Sequence, residues 1–185
     1  MFADNTLTPK EAIRLCALGH LALGPRTYAA LATDVRHFVG RVVGPTPEIM
    51  GHSIELLKYE GLVEPIEGTG DAALLTLTDE GRATMRQLLM ANVRAHSSEL
   101  NKLVVALKFH FLHLLNAEEQ RLQVALLTDA AERELARLAD LKIAHEGEPG
   151  YLGEWLEHDM NVLEQRIAWL ATLERRLSGT LGAAA

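Results

Sequence analysis

The chain has little that would staple it covalently or hold it in a membrane. A single cysteine, Cys16, has no partner for an internal disulfide, which excludes a disulfide-built scaffold and points to a reducing compartment. The longest apolar stretch, 15–24, is roughly half the length that crosses a bilayer and contains His20. Residues 1–10 carry no basic run followed by an apolar core, so no secretory leader is expected and the cytoplasm is the expected location. Positive charge is scarce as well. The 18 Lys and Arg stand against 25 Asp and Glu, a net charge of −7, which argues against a surface that attracts nucleic acid everywhere. In residues 1–90 alone, 8 basic side chains face 11 acidic ones.

The signatures of catalysis are missing too. There is no glycine-rich phosphate loop, no Gly-x-Ser-x-Gly elbow and no Cys/His pair in a context for nucleophilic attack, so no enzyme and no cofactor are expected. His110 and His113, followed by Glu118 and Glu119, match no established metal-ligand spacing, and no metal is expected. Cys16, among Leu15, Ala17 and Leu18, reads as a small core hydrophobe whose burial would suppress its reactivity.

What is present is an ordinary globular composition, 48% hydrophobic and 23% charged over 185 residues, long enough to bury a real core in one or two domains. Five of the six prolines and most of the glycines lie before residue 82; from 82 to 177 the chain is rich in Leu, Ala, Glu, Arg and Gln. That shift divides it into a turn-rich module, 1–81, and a helical one, 82–185.

A first helix starts at Thr8, a good N-cap with Pro9 in the first helical position and Glu11 completing a capping box, and ends at Gly24-Pro25. A second runs from Thr27 to Val39 with Gly40 as its stop. A third is capped by Thr46, opened by Pro47 and closed by Gly61 in the left-handed region, with Met50, Ile54 and Leu57 on its inner face. Leu62–Ile66 and Ala72–Leu77 read as strands around a turn at 67–71, and Thr78 caps a further helix. Three helices, a β-hairpin and another helix make the winged helix-turn-helix order, with the third helix as the recognition helix. The rest reads as about three helices: 78–115 with a break near His96-Ser97-Ser98, 116–145 capped by Asn116 with Glu119, and 149–177. In the last, Leu156, Met160, Leu163, Ile167 and Leu170 form one apolar row, and Trp155, Val162 and Trp169 form a second, seven apart. Two rows exceed what one neighbour needs. The first is expected at a homodimer interface, and Trp155 and Trp169 are candidates to line an effector pocket there.

Several of these segments, in order, resemble the PadR family of bacterial transcriptional regulators. They are Ala17-Leu18-Gly19-His20-Leu21-Ala22-Leu23-Gly24-Pro25-Arg26, Thr46-Pro47, Leu57 with Glu60-Gly61-Leu62-Val63, Leu77-Thr78-Asp79-Glu80-Gly81-Arg82, and the tail from Glu154-Trp155-Leu156 to Trp169-Leu170. The resemblance implies a mainly α protein, a winged helix-turn-helix followed by a helical C-terminal dimerisation domain, acting on double-stranded operator DNA as a homodimeric repressor with a small-molecule effector. The expected DNA contacts are Arg26, Arg36, His37, Arg41, Thr46 and Lys58, with His52 and Ser53 facing bases; Arg36 and Arg41 would flank the turn before the recognition helix and clamp a phosphate. The sequence departs from the family where DNA would be touched. Gly51 and His52 stand where Tyr and Pro are usual, and the wing from Glu64 to Ala73 has three acidic residues and no basic one. A second reading follows from those departures: a PadR-like dimer that has lost DNA binding and serves as a ligand-binding or protein-interaction module.

Overall fold

The computed structural model describes residues 5–44, 56–69, 72–93 and 98–182. The described residues form α1 (Pro9–Ala22), β1 (Arg26–Thr27), α2 (Tyr28–Val43), β2 (Val63–Glu67), β3 (Leu74–Leu77), α3 (Asp79–Leu89), α4 (Glu99–Phe111), a 3-10 turn (Leu112–Leu114), α5 (Ala117–Ala144) and α6 (Leu152–Gly182). None of these helices is long and apolar enough to cross a membrane. Residues 56–59 are also helical, the end of the expected recognition helix. The body of that helix, with Thr46, His52 and Ser53, lies outside the described residues.

Local signals placed most helix starts. Thr8 accepts from the Glu11 amide while the Glu11 carboxylate accepts from the Thr8 amide at 2.7 Å, the reciprocal capping box expected there. Thr27 caps α2, Thr78 caps α3, Ser98 caps α4, and Asn116 with Glu119 forms a second box at α5. One stop differs. Gly40 does not end α2, which runs on through Val43 to Gly44 at φ 84°. A helix-interior glycine costs only about 1 kcal/mol, which Val39 at 1% exposure and the continuing backbone bonds offset. The helical stretch expected over 78–115 with a break near 96–98 is two helices, α3 and α4. A backbone bond of 2.8 Å from the Asn92 amide to the Asn5 carbonyl ties the segment after α3 back to the start of the chain.

The sheet is antiparallel in the order β1-β3-β2. β2 and β3 are the expected hairpin, paired from Val63↔Leu77 to Glu67↔Leu74 with a register shift between Pro65 and Glu67. β1 was not anticipated: Arg26 and Thr27 pair with Leu75 and Leu74. Two residues are too short to show an alternating pattern, and the Gly24-Pro25 turn concealed the strand. Pro65 is tolerated because β2 is an edge strand.

The chain forms two compact units. The first comprises residues 1–92 and 97–114, so α3 and α4 pack with the winged helix and the packing division falls later than the compositional one at 81/82. Its core includes Leu15, Leu18, Leu31, Val35, Leu57, Leu77, Leu89, Leu107 and Phe111, each at most 1% exposed. α1 approaches α4 at a glycine: a Cβ on Gly19 would lie 2.4 Å from the Phe111 ring.

The second unit is the α5–α6 hairpin with residues 93–96. Ala131 and Leu138 of α5 and Leu156 and Leu163 of α6 form its core, with Leu135, Leu141, Met160 and Ile167 packed against them. Lys142 reaches Glu157 across the hairpin at 3.4 Å. The row expected to face a second copy is therefore packed inside the chain. A long partner helix within the same chain satisfies it, and a single-sequence pattern does not distinguish the two uses. Leu170, in the same row, is 1% exposed.

Two glycines of the first unit give opposite expectations. A Cβ on Gly81 would lie 2.0 Å from the Leu62 carbonyl oxygen, whereas one on Gly40 meets nothing within 4 Å. Chemical unfolding should find Gly81→Ala destabilised by roughly 2–4 kcal/mol and Gly40→Ala stabilised by about 0.5–1 kcal/mol.

Candidate nucleic-acid interface

A winged helix reads DNA with its recognition helix, so the site depends on what fixes that helix's end. Gly61, at φ 71°, lets the chain reverse; its amide donates to the Lys58 carbonyl at 3.2 Å and the Leu62 amide to the Leu57 carbonyl at 2.9 Å. These are the two bonds of a Schellman stop, and they satisfy carbonyls the helix end would otherwise leave open. Leu57 and Leu62 are buried and anchor the stop in the core.

The start of α3 closes on this turn. The Thr78 amide donates to the Leu62 carbonyl at 3.1 Å, its hydroxyl donates to the Gly61 carbonyl at 2.7 Å, and the same oxygen accepts from the Gly81 amide at 3.0 Å. Gly81 is required because only a residue without Cβ lets α3 approach the Leu62 carbonyl this closely. Arg82 adds a bond of 3.3 Å to the Leu77 carbonyl. The Leu-Thr-x-x-Gly-Arg segment is thus a joint: Leu77 sits in the core, Thr78 clips two carbonyls, Gly81 gives clearance and Arg82 covers the strand end. On the other side, the Arg14 guanidinium of α1 grips the Glu60 carboxylate through both nitrogens.

The cations expected at DNA separate into two groups. Arg26 is committed internally. Its Nε donates to the His20 carbonyl at 3.2 Å and its Nη1 pairs with Asp34 Oδ2 at 3.3 Å, so it fastens β1 to α1 and α2 instead of facing solvent freely. Arg36, His37, Arg41 and Lys58 are exposed, and none has a hydrogen-bond or ion-pair partner among the described residues. Because α2 continues past Gly40, Arg36 and Arg41 both lie on that helix and do not flank a turn. Five residues of helix set them about 140° apart around its axis, while His37 shares a face with Arg41 one turn on. The opposing charge is Glu64 and Glu67, both exposed on β2 beside an exposed Ile66.

In the second unit Trp155 and Trp169 are about half exposed on α6, with Val162 between them. Fourteen residues of helix separate the two indoles by roughly 21 Å, so within one chain they do not converge on one small ligand.

One buried charge had no signal in the sequence. Lys108 of α4 is fully buried and its Nζ donates to the Leu89 carbonyl, at the C-terminus of α3, at 2.6 Å. Burial pushes its pKa down to about 8. Only the fold shows this; on α4 the residue reads as one more solvated lysine. Cys16, also fully buried, has its thiol pushed up to about 12 by the same desolvation.

The Lys108 shift has a sign that can be measured. The unfolded chain holds this proton up to about pH 10.5, whereas the folded chain releases it near 8. Between these values the unfolded state binds more protons, so stability rises with pH, by up to roughly 3 kcal/mol over the full span. Cys16 opposes the trend above its unfolded value, so the comparison is between wild type and Lys108→Met in parallel denaturant titrations from pH 7.5 to 10. The difference between them should grow with pH in favour of wild type; an unchanging difference would contradict the assignment.

Three comparisons bear on this arrangement. Residues 2–174 match the model of a family described as "Putative AphA-like transcriptional regulator". No curated protein matches the chain significantly. Among solved structures, the chain is similar to Bacillus subtilis PadR at 15% identity and a TM-score of 0.39, over 94% of this chain and 98% of that one. It is also similar to the same protein in complex with operator DNA, at 17% and 0.36 over 89% and 98%. A third similarity is to smu.1604c from Streptococcus mutans UA159, at 17% and 0.36 over 95% and 99%. No residue's role carries over at that level of likeness.

Proposed function

The chain belongs to the AphA-like family of transcriptional regulators, a PadR-like family, and from that premise we propose that it is a cytoplasmic, homodimeric repressor that binds operator DNA and needs no cofactor. The observation that carries the reading is the joint at Thr78–Gly81, which holds the end of the recognition helix and the wing as one piece. Four exposed cationic or titratable side chains, Arg36, His37 and Arg41 on α2 and Lys58 at the helix end, have no hydrogen-bond or ion-pair partner among the described residues. Such groups are available to phosphates, and phosphate contacts supply most of the affinity for duplex DNA. Thr46, His52 and Ser53 complete the proposed contact set; Arg26 supports the fold beneath it.

The dimer contact we propose is the outer row of α6. Trp155, Val162 and Trp169 are 54%, 44% and 47% exposed, at the seven-residue spacing of a helix seam, while Leu156 and Leu163 already occupy the hairpin core. A second copy would cover that row. An effector-binding cleft that includes either indole would then need both copies, because one chain does not bring the two together.

A second reading is favoured by Glu64 and Glu67, exposed on β2 with no basic residue on that strand. On that reading the protein keeps the fold and the dimer but binds a ligand or protein in place of DNA.

Titration against duplex DNA from upstream of its own gene, at two salt concentrations, separates the two. An operator-binding regulator should bind a specific site and lose affinity steeply with salt, with a log–log slope of about −0.9 per neutralised phosphate. Absence of binding at low salt at micromolar protein would favour the second reading. Arg36→Ala, Arg41→Ala and Lys58→Ala should each weaken binding to all sequences alike and reduce the salt slope by about one. For the dimer, sedimentation of Val162→Asp should show monomer where wild type shows dimer; an unchanged dimer would place the interface elsewhere.

A further inference from the structure

Two histidines of the first unit have no part in the function proposed above, yet they lie at the junction of α1, α2 and α4. His20 of α1 and His110 of α4 have ring centroids 5.6 Å apart. His110 stacks on Phe38 of α2 at 5.0 Å and 26°, and His20 meets Phe38 and Phe111 edge-on at 6.3 and 5.7 Å. Phe111 is fully buried against Gly19, so the cluster continues directly into the core. The Nε2 of His20 is buried and has no hydrogen-bond partner among the described residues. A neutral ring tolerates such a site at modest cost, since that nitrogen then only lacks a donor; a charged ring would bury an unsatisfied N–H.

We propose that His20 and His110 form an acid-operated latch, which holds α4 against α1 and α2 while both rings are neutral and loosens when they take up protons. The surrounding charges support that direction. Burial disfavours the charged form of His20 most strongly; Asp34 of α2 favours that form, and His110 and Arg26 of β1 add to the effect of burial. His110 is more exposed than His20; the desolvation it does undergo, and then His113 in the 3-10 turn, disfavour its charging. Both rings therefore release protons more readily in the folded chain than the ordinary value near 6.5. Between that value and the lower folded one, the state with α4 released binds more protons, so acid favours release. The latch stands whether or not the unit binds DNA; if it does, affinity should fall in the same pH window.

Hydrogen exchange of the α4 amides in the full chain, corrected for intrinsic rates, tests this at pH 7.5 and 5.0. Wild-type α4 should lose protection on acidification, by roughly tenfold for each unit that separates the folded and released pKa values. His20→Phe and His110→Phe, which keep the ring contacts and remove the proton site, should each lose less. Ring-proton titration of wild type supplies a readout that needs no variant: both histidines should titrate below about 6.5. Unchanged α4 protection, an equal loss in both variants, or titration of the pair at or above 6.5 would overturn the latch. Loss of DNA affinity at pH 7.5 would bear on the regulator reading and not on this one.

Discussion

The arrangement depends on one close approach, the start of α3 against the turn that ends the recognition helix. Thr78 donates twice while its hydroxyl accepts once, and Gly81 admits a carbonyl where any side chain would collide. The free energy is not large by the count of bonds, at about 1 kcal/mol net for each. Its consequence is geometric. The turn after the helix, the first wing strand and the following helix are fixed to one another through backbone atoms, so they move as one body. The Arg14–Glu60 pair ties α1 to the same turn, and the Arg26–Asp34 pair ties β1 to α2. Surface ion pairs contribute little stability, but here each chooses a neighbour for an element that ends nearby.

Much of this was legible where chemistry is local. A Thr or Asn side chain that must satisfy an amide three residues on can be read without a fold, and Thr8, Thr27, Thr78 and Asn116 all do so. Gly61 was legible for the same reason, as the residue that takes the left-handed turn. What failed was anything decided by a distant partner. Gly40 resembles a stop until the packing of Val39 shows the helix continuing beneath it. The pairing of Arg26–Thr27 is written in β3, 47 and 49 residues further along the chain. Arg26 reads as an unpaired cation until Asp34 and the His20 carbonyl claim it. Lys108 on its helix is indistinguishable from a solvated lysine, and only the end of α3 reveals its place. The two apolar rows of α6 were both visible, but α5 occupies the row that had been expected to face a second copy.

Scarcity of positive charge now has a location. Of the basic residues near the proposed interface, Arg14 and Arg26 serve the fold, which leaves Arg36, Arg41 and Lys58, with His37, as the proposed phosphate contacts. A module with so few free cations gains less from phosphate contacts than a basic one does, so shape and base contacts would have to supply a larger share of operator affinity. The same scarcity makes each remaining cation matter more to binding than it would in a basic domain.

The central claim, that the Thr78–Gly81 joint makes the helix end and wing one body, is tested most directly by hydrogen exchange at the Leu62, Thr78 and Gly81 amides. If the claim holds, these three open only with the whole first unit, and their exchange follows the same denaturant dependence as the core amides of Leu15 and Leu18. Exchange by local opening, fast and insensitive to denaturant while α1 stays protected, would contradict it.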